Sequence, residues 1–140
     1  HVYVDKLSGE THLALVKGKP TADTETLVRV HEPFSVMDFI QANPRHSWSL
    51  PKALERIQQA DSGVVILLHR TEDGATLLDR TLPKGANQAY KWDSKSYGIG
   101  AQILAGLNVG KLRVLGQPSA FTGLTGFGLE VVGFEEAENK

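Results

Sequence analysis

The unbroken aliphatic run Val64-Val65-Ile66-Leu67-Leu68 follows a glycine and stops at His69-Arg70. It is too short for a buried helix and shows no polar alternation, so it reads as a strand buried on both faces. Such a strand needs cover on both sides of its sheet. The segments around it supply candidates. His12 to Val16 reads as a strand closed by the turn-prone Gly18-Lys19-Pro20, and Thr26 to His31 alternates with period two. A helix is expected from Leu50 to Ala60, with Pro51 in its first turn and Leu50, Leu54 and Ile57 on one face. A second is expected from Ser96 to Leu107, with Ile99, Ile103 and Leu107 sharing a face. Leu112 to Leu115 and Leu129 to Phe134 complete the strands. Thr76 to Leu82 reads as a further strand entered by an Asp73-Gly74 hairpin turn. Phe34 to Ile40 reads as a short helix or irregular turn, Pro83 to Asp93 as a loop, and Ser119 to Leu124 as one helical turn. The expected fold is therefore a single α/β domain over residues 1–140, a mixed sheet flanked by helices.

A chain of 140 residues with 41% hydrophobic content is enough for one core. The formal net charge of -1 offers no basic footprint for nucleic acid. No apolar run approaches the roughly 20 residues of a membrane helix. No signal-peptide pattern opens the chain, which starts at His1 without an initiator methionine, so a fragment of a longer polypeptide in the cytoplasm is expected. The absence of cysteine excludes disulfides, thiol nucleophiles and thiolate-bound metal.

Residue patterns alone reach no function. His12, His31, His46 and His69 are scattered, without the helical pairing of a HExxH site. An ordinary hydrogen-bonded role is expected for His12 and His31. Gly98-Ile99-Gly100 and Gly123 to Gly128 lack the endings of phosphate-binding loops and read as turn or packing glycines. Asp93, Lys95 and Tyr97 alternate just ahead of a helix. Together they could move protons or hold an anion, or Asp93 or Ser94 could simply cap that helix. Arg29 and Arg70, at strand ends with Glu72 near, could touch phosphate or stay solvated as lone charges.

Several stretches together resemble the GTP cyclohydrolase II family. They are His12 to Gly18, Leu27-Val28-Arg29-Val30-His31, Gly63 to Arg70, Tyr97-Gly98-Ile99-Gly100-Ala101-Gln102-Ile103-Leu104, Leu112 to Leu115 and Gly126 to Val132. They keep the family's order and span nearly the whole chain. The resemblance implies a cyclohydrolase-like fold, a homodimer, and an upstream 3,4-dihydroxy-2-butanone 4-phosphate synthase domain in the same chain.

The departures fall at positions that carry the family's chemistry. Its zinc is bound by three cysteines, whose positions here are Phe34, Pro44 and His46. One imidazole does not make a site, so the resemblance implies no metal and no cofactor. Without zinc, the water that attacks the purine ring is not activated. The family's Asp-x-Arg-x-Tyr reads Asp93-Ser94-Lys95-Ser96-Tyr97, and lysine lacks the bidentate fork of arginine. Leu115 to Ala120 replaces a polar, lysine-bearing loop. Asp93 and Lys95 are thus vestigial catalytic positions, and Arg29, Arg70, Glu72 and Tyr97 vestigial nucleotide-binding ones.

Three functions follow. The first is a non-catalytic domain that supports folding, dimerisation or regulation of the upstream lyase. The second is a domain that holds guanine nucleotide without turnover, through Arg29, Arg70, Lys95 and Tyr97. The third is a cyclohydrolase with an altered metal set, which needs His31, His46, His69, Glu32 or Asp38 to converge.

Overall fold

A computed structural model describes residues 1–35, 38, 47–69, 73–81, 94–117 and 124–138. Among them, six strands form one sheet: β1 (Val2–Val4), β2 (Thr11–Lys17), β3 (Glu25–Phe34), β4 (Gly63–His69), β5 (Lys111–Leu115) and β6 (Glu130–Glu135). Their spatial order is β1-β2-β4-β3-β5-β6. The pairs β1·β2 and β2·β4 are antiparallel, whereas β4·β3, β3·β5 and β5·β6 are parallel. The sheet is mixed, as expected. The aliphatic run of β4 occupies an interior position, Val64, Val65 and Ile66 are fully buried, and Leu67 and Leu68 nearly so.

Two cores cover the two faces. On one, Val28, Val30, Val64, Ile66, Leu68 and Val114 pack beneath α3 (Ser94–Gly106) through Ala101, Ile103 and Leu104. On the other, Leu27, Val65, Leu67 and Leu115 meet α1 (Leu50–Gln58) through Leu50, Ala53 and Ile57, with Trp48 beside them. The Ser49 hydroxyl caps α1 by accepting from the Lys52 amide, and Pro51 sits in its first turn. The buried stripe runs through Ala53 rather than Leu54, which is 37% exposed. The small Ala53 lets the helix lie close to the sheet, and Leu54 then falls beside the contact. In α3, Ile103 is buried and Ile99 and Leu107 pack at the margin of the core. Asn108, at φ 64°, ends that helical course in the left-handed conformation asparagine tolerates.

One element departs from expectation in kind. Residues Gly74–Thr81 form a helix, α2, where a hairpin strand was expected. A strand turning back at Asp73-Gly74 would have to pair with β4, and both edges of β4 are already taken by β2 and β3. The segment instead closes helical bonds from its start, the Leu77 amide donating to the Asp73 carbonyl at 3.0 Å. The single helical turn expected before Leu124 lies outside the described residues except at its last position. A 3-10 turn is found at Leu124–Phe127. The loop at Pro83 to Asp93 and most of Phe34 to Ile40 also lie outside them.

Candidate functional site

In sheets of this kind ligands collect at the carboxyl ends of parallel strands. Arg29, His31 and Glu32 lie in the later part of β3, past Glu25 and Thr26 at its start. Arg29 lies within β3 and not at its end, and it is 5% exposed, contrary to the expectation of a solvated charge. Its Nη1 donates to the Leu115 carbonyl at 2.9 Å and its Nη2 to the Trp48 carbonyl at 3.2 Å. Burial lowers the guanidinium pKa below its ordinary value, to about 10, with the attraction of Asp38 acting in the opposite direction. The pair of carbonyls explains why the side chain is held inside.

His31, fully buried, places Nε2 3.0 Å from Asp38 Oδ1. The other carboxylate oxygen, Oδ2, accepts from the Ser35 amide at 2.8 Å, and the Asp38 amide donates back to the Ser35 carbonyl at 3.0 Å. Glu32 is also buried. Trp48 donates from Nε1 to the Glu135 carbonyl at 2.9 Å, and Arg56 pairs with the Glu135 carboxylate. The ends of β3, β5 and β6 and the entry to α1 are thereby joined by polar contacts.

Of the altered metal set considered from sequence, the structure brings His31 and Asp38 together. His69 is exposed, and its amide donates to Nδ1 of buried His12 at 3.1 Å, an ordinary structural role for His12. Among the described residues, no group of three or more histidine, cysteine, aspartate or glutamate side chains is arranged to hold a metal. The His31–Asp38 pair is a poor nucleus for one. The oxygens of Asp38 already face His31 and the Ser35 amide, and Arg29 sets a buried cation two residues from His31 on the same strand. The three-thiolate set of the family does not fit this chain: it has no cysteine, and Phe34, at the end of β3, offers no donor. Pro44, His46, Arg70, Glu72 and Asp93 lie outside the described residues. Lys95 and Tyr97 fall inside the first turns of α3 and not ahead of it. The contributions of Trp48 and of the Ser35–Asp38 closure have no local motif. Only the position of Trp48 just before the Ser49 cap, where an apolar residue often packs back on the helix, gives a signal.

The family model for GTP cyclohydrolase II matches residues 1–136. The chain belongs to the GTP cyclohydrolase II family. This cyclohydrolase-like domain is 95% identical over 138 residues to a 3,4-dihydroxy-2-butanone 4-phosphate synthase of Neisseria meningitidis serogroup A, covering 99% of the chain and 38% of that protein. It is 40% identical to a protein of the same name from Pseudomonas aeruginosa, covering 97% of the chain and 38% of the relative. To the riboflavin biosynthesis protein RibBA of Cytophaga hutchinsonii it is 35% identical, covering 89% and 34%. The domain thus spans well under half the length of these relatives. Among the described residues, no helix is long and apolar enough to cross a membrane.

Proposed function

We propose that this is a non-catalytic cyclohydrolase-like domain that works inside a longer riboflavin-pathway protein. It would lie beside a 3,4-dihydroxy-2-butanone 4-phosphate synthase domain acting on ribulose 5-phosphate, and its role is to support folding, dimerisation or regulation. Under this reading it binds no zinc, has no cofactor and works in the cytoplasm. The observation that carries the reading is the loss of the thiolate donor set, with no other set assembled among the described residues. The chain has no cysteine, and the buried His31–Asp38 pair lies on the strand that also carries the buried Arg29. Purine ring opening in the family depends on a metal-activated water. None of the described residues takes over that part, since buried His31 is already turned to Asp38.

The test is made on the full-length protein. Metal content is measured, then formate release from GTP with and without added zinc, then turnover of ribulose 5-phosphate with the domain present and deleted. No formate in either condition, together with weakened or deregulated ribulose 5-phosphate turnover on deletion, is the expected result. Zinc-dependent formate release would overturn the reading. Calorimetric binding of GTP without zinc or turnover would favour nucleotide retention instead. Arg29 weighs against that outcome, because two of its guanidinium nitrogens already serve backbone carbonyls.

A further inference from the structure

We propose that Arg29, His31 and Asp38 form a metal-free clamp that fastens β3 to the chain entering α1 and to the end of β5. The inference rests on the reading that the metal site is gone, and names contacts that hold those segments without one.

The clamp is built from contacts that each join a different segment. Asp38 closes back on β3 through the Ser35 amide and carbonyl and through His31 Nε2. Arg29 reaches in two other directions, to Leu115 across the sheet and to Trp48 ahead of α1, partners 86 and 19 residues away in sequence. Trp48 carries the connection on to Glu135 at the end of β6. A buried guanidinium is costly unless an anion and several acceptors surround it. Here the acceptors are carbonyls and the anion is Asp38. Arg29 and His31 stand two residues apart on β3, so the contacts of Arg29 and those of Asp38 are tied through one strand and act as a unit.

A fold that needs a metal to join such segments loses them when the metal is removed. A clamp made only of side chains and backbone does not. Its failure signature is local: removing one member frees the segments it joins, while β4, held by aliphatic packing, stays protected.

Hydrogen exchange read by mass spectrometry on the full-length protein tests this. Asp38→Asn keeps the shape but sets an amide donor against either His31 or Ser35, and it removes the anion beside Arg29. Exchange in peptides covering residues 30–35 should quicken by about tenfold or more, the scale of a lost charged hydrogen bond. Arg29→Met should do the same for residues 111–117 and 47–50. The double variant should exchange no faster than the worse single one, because the members are coupled. Arg29→Lys supplies a milder change that keeps the cation: protection at 30–35 should persist while that at 111–117 falls. Residues 63–69 should be unchanged throughout, and EDTA should alter nothing in the unmodified protein. Faster exchange of β3 with EDTA, no effect of Asp38→Asn, or effects that multiply in the double variant would each overturn the clamp. Formate release from GTP, assayed on the same samples, bears on catalysis separately. Its appearance with coupled, EDTA-insensitive exchange would refute the non-catalytic reading and leave the clamp standing.

Discussion

Gly63 opens β4 directly beneath α1, and replacing it with alanine tests how closely that helix is seated. An added Cβ would lie 2.6 Å from Ile57 Cγ2 and 3.4 Å from Ile57 Cβ and Cγ1. Carbon atoms prefer about 3.5 to 4.0 Å, so the overlap is roughly an ångström. Ile57 is buried and β-branched, with little rotamer freedom in a helix, so relief has to come from moving α1 itself. Overpacking of this order costs about 1 to 3 kcal/mol. Gly63 does not occupy the left-handed region, so alanine suits the backbone and returns about 0.4 to 1 kcal/mol by restricting the unfolded chain. The net expectation for Gly63→Ala is a loss of about 1 to 2 kcal/mol. Urea unfolding followed by tryptophan fluorescence measures it, since Trp48 is buried in the same core. Ile57→Ala alone should cost about 2 to 5 kcal/mol by leaving a cavity. In the double variant the new methyl enters that cavity, and the combined loss should fall short of the sum by about 1 kcal/mol or more. Unchanged stability of Gly63→Ala, or strict additivity with Ile57→Ala, would refute the steric argument.

Three further outcomes follow from the same structure. Trp48→Phe keeps the ring in the core but removes the donor to the Glu135 carbonyl, and should lower unfolding free energy by about 1 kcal/mol in the same assay. Gly98→Ala should raise it by about 0.5 to 1 kcal/mol, because the position lies inside α3 with nothing within 4 Å of an added Cβ. Retained thermal stability without that gain would mean the surroundings of α3 oppose the methyl. Finally, burying the charge of Arg29 costs the native state on the order of 3 kcal/mol at neutral pH, because its folded pKa of about 10 lies below that of the unfolded chain. That cost is constant below pH 10 and fades as pH rises above 10, where the unfolded chain holds the proton longer. The stability of the unmodified protein relative to Arg29→Met should therefore be flat from pH 6 to about 9 and turn in its favour above about 10. A difference that falls above pH 10 would reverse the sign of the argument.

The elements that sequence made legible are those whose own residues decide their state. The Val64 to Leu68 run admits only a buried strand, and the Ser49-Leu50-Pro51 start with its apolar spacing announces α1. Elements decided by their neighbours were hidden. Thr76 to Leu82 has residues that suit a strand, but whether β4 has a free edge is a property of the assembled sheet. β1 is three residues long and gains its identity only by pairing Val2, Tyr3 and Val4 with β2. The site divides the same way. Loss of the cysteine ligands is written in the composition, and His31 and Asp38 could be named as candidates. That Arg29 turns inward depends on carbonyls at Trp48 and Leu115, which no local pattern brings near it.

Glu135 sits at the very end of the last strand yet serves parts of the chain made long before it. Its carbonyl accepts from the Trp48 indole and the Gly116 amide, and its carboxylate holds Arg56. During synthesis from the amino end, β2, β3, α1 and β4 can assemble while these partners are still awaited. A nascent chain paused before Glu130 would present β5 as an open edge, with the Trp48 N–H and the Arg56 guanidinium lacking the partners that β6 brings. That partly assembled species is the form on which chaperones and proteases would act, so the tolerance of this domain to ribosomal stalling is set by its final strand.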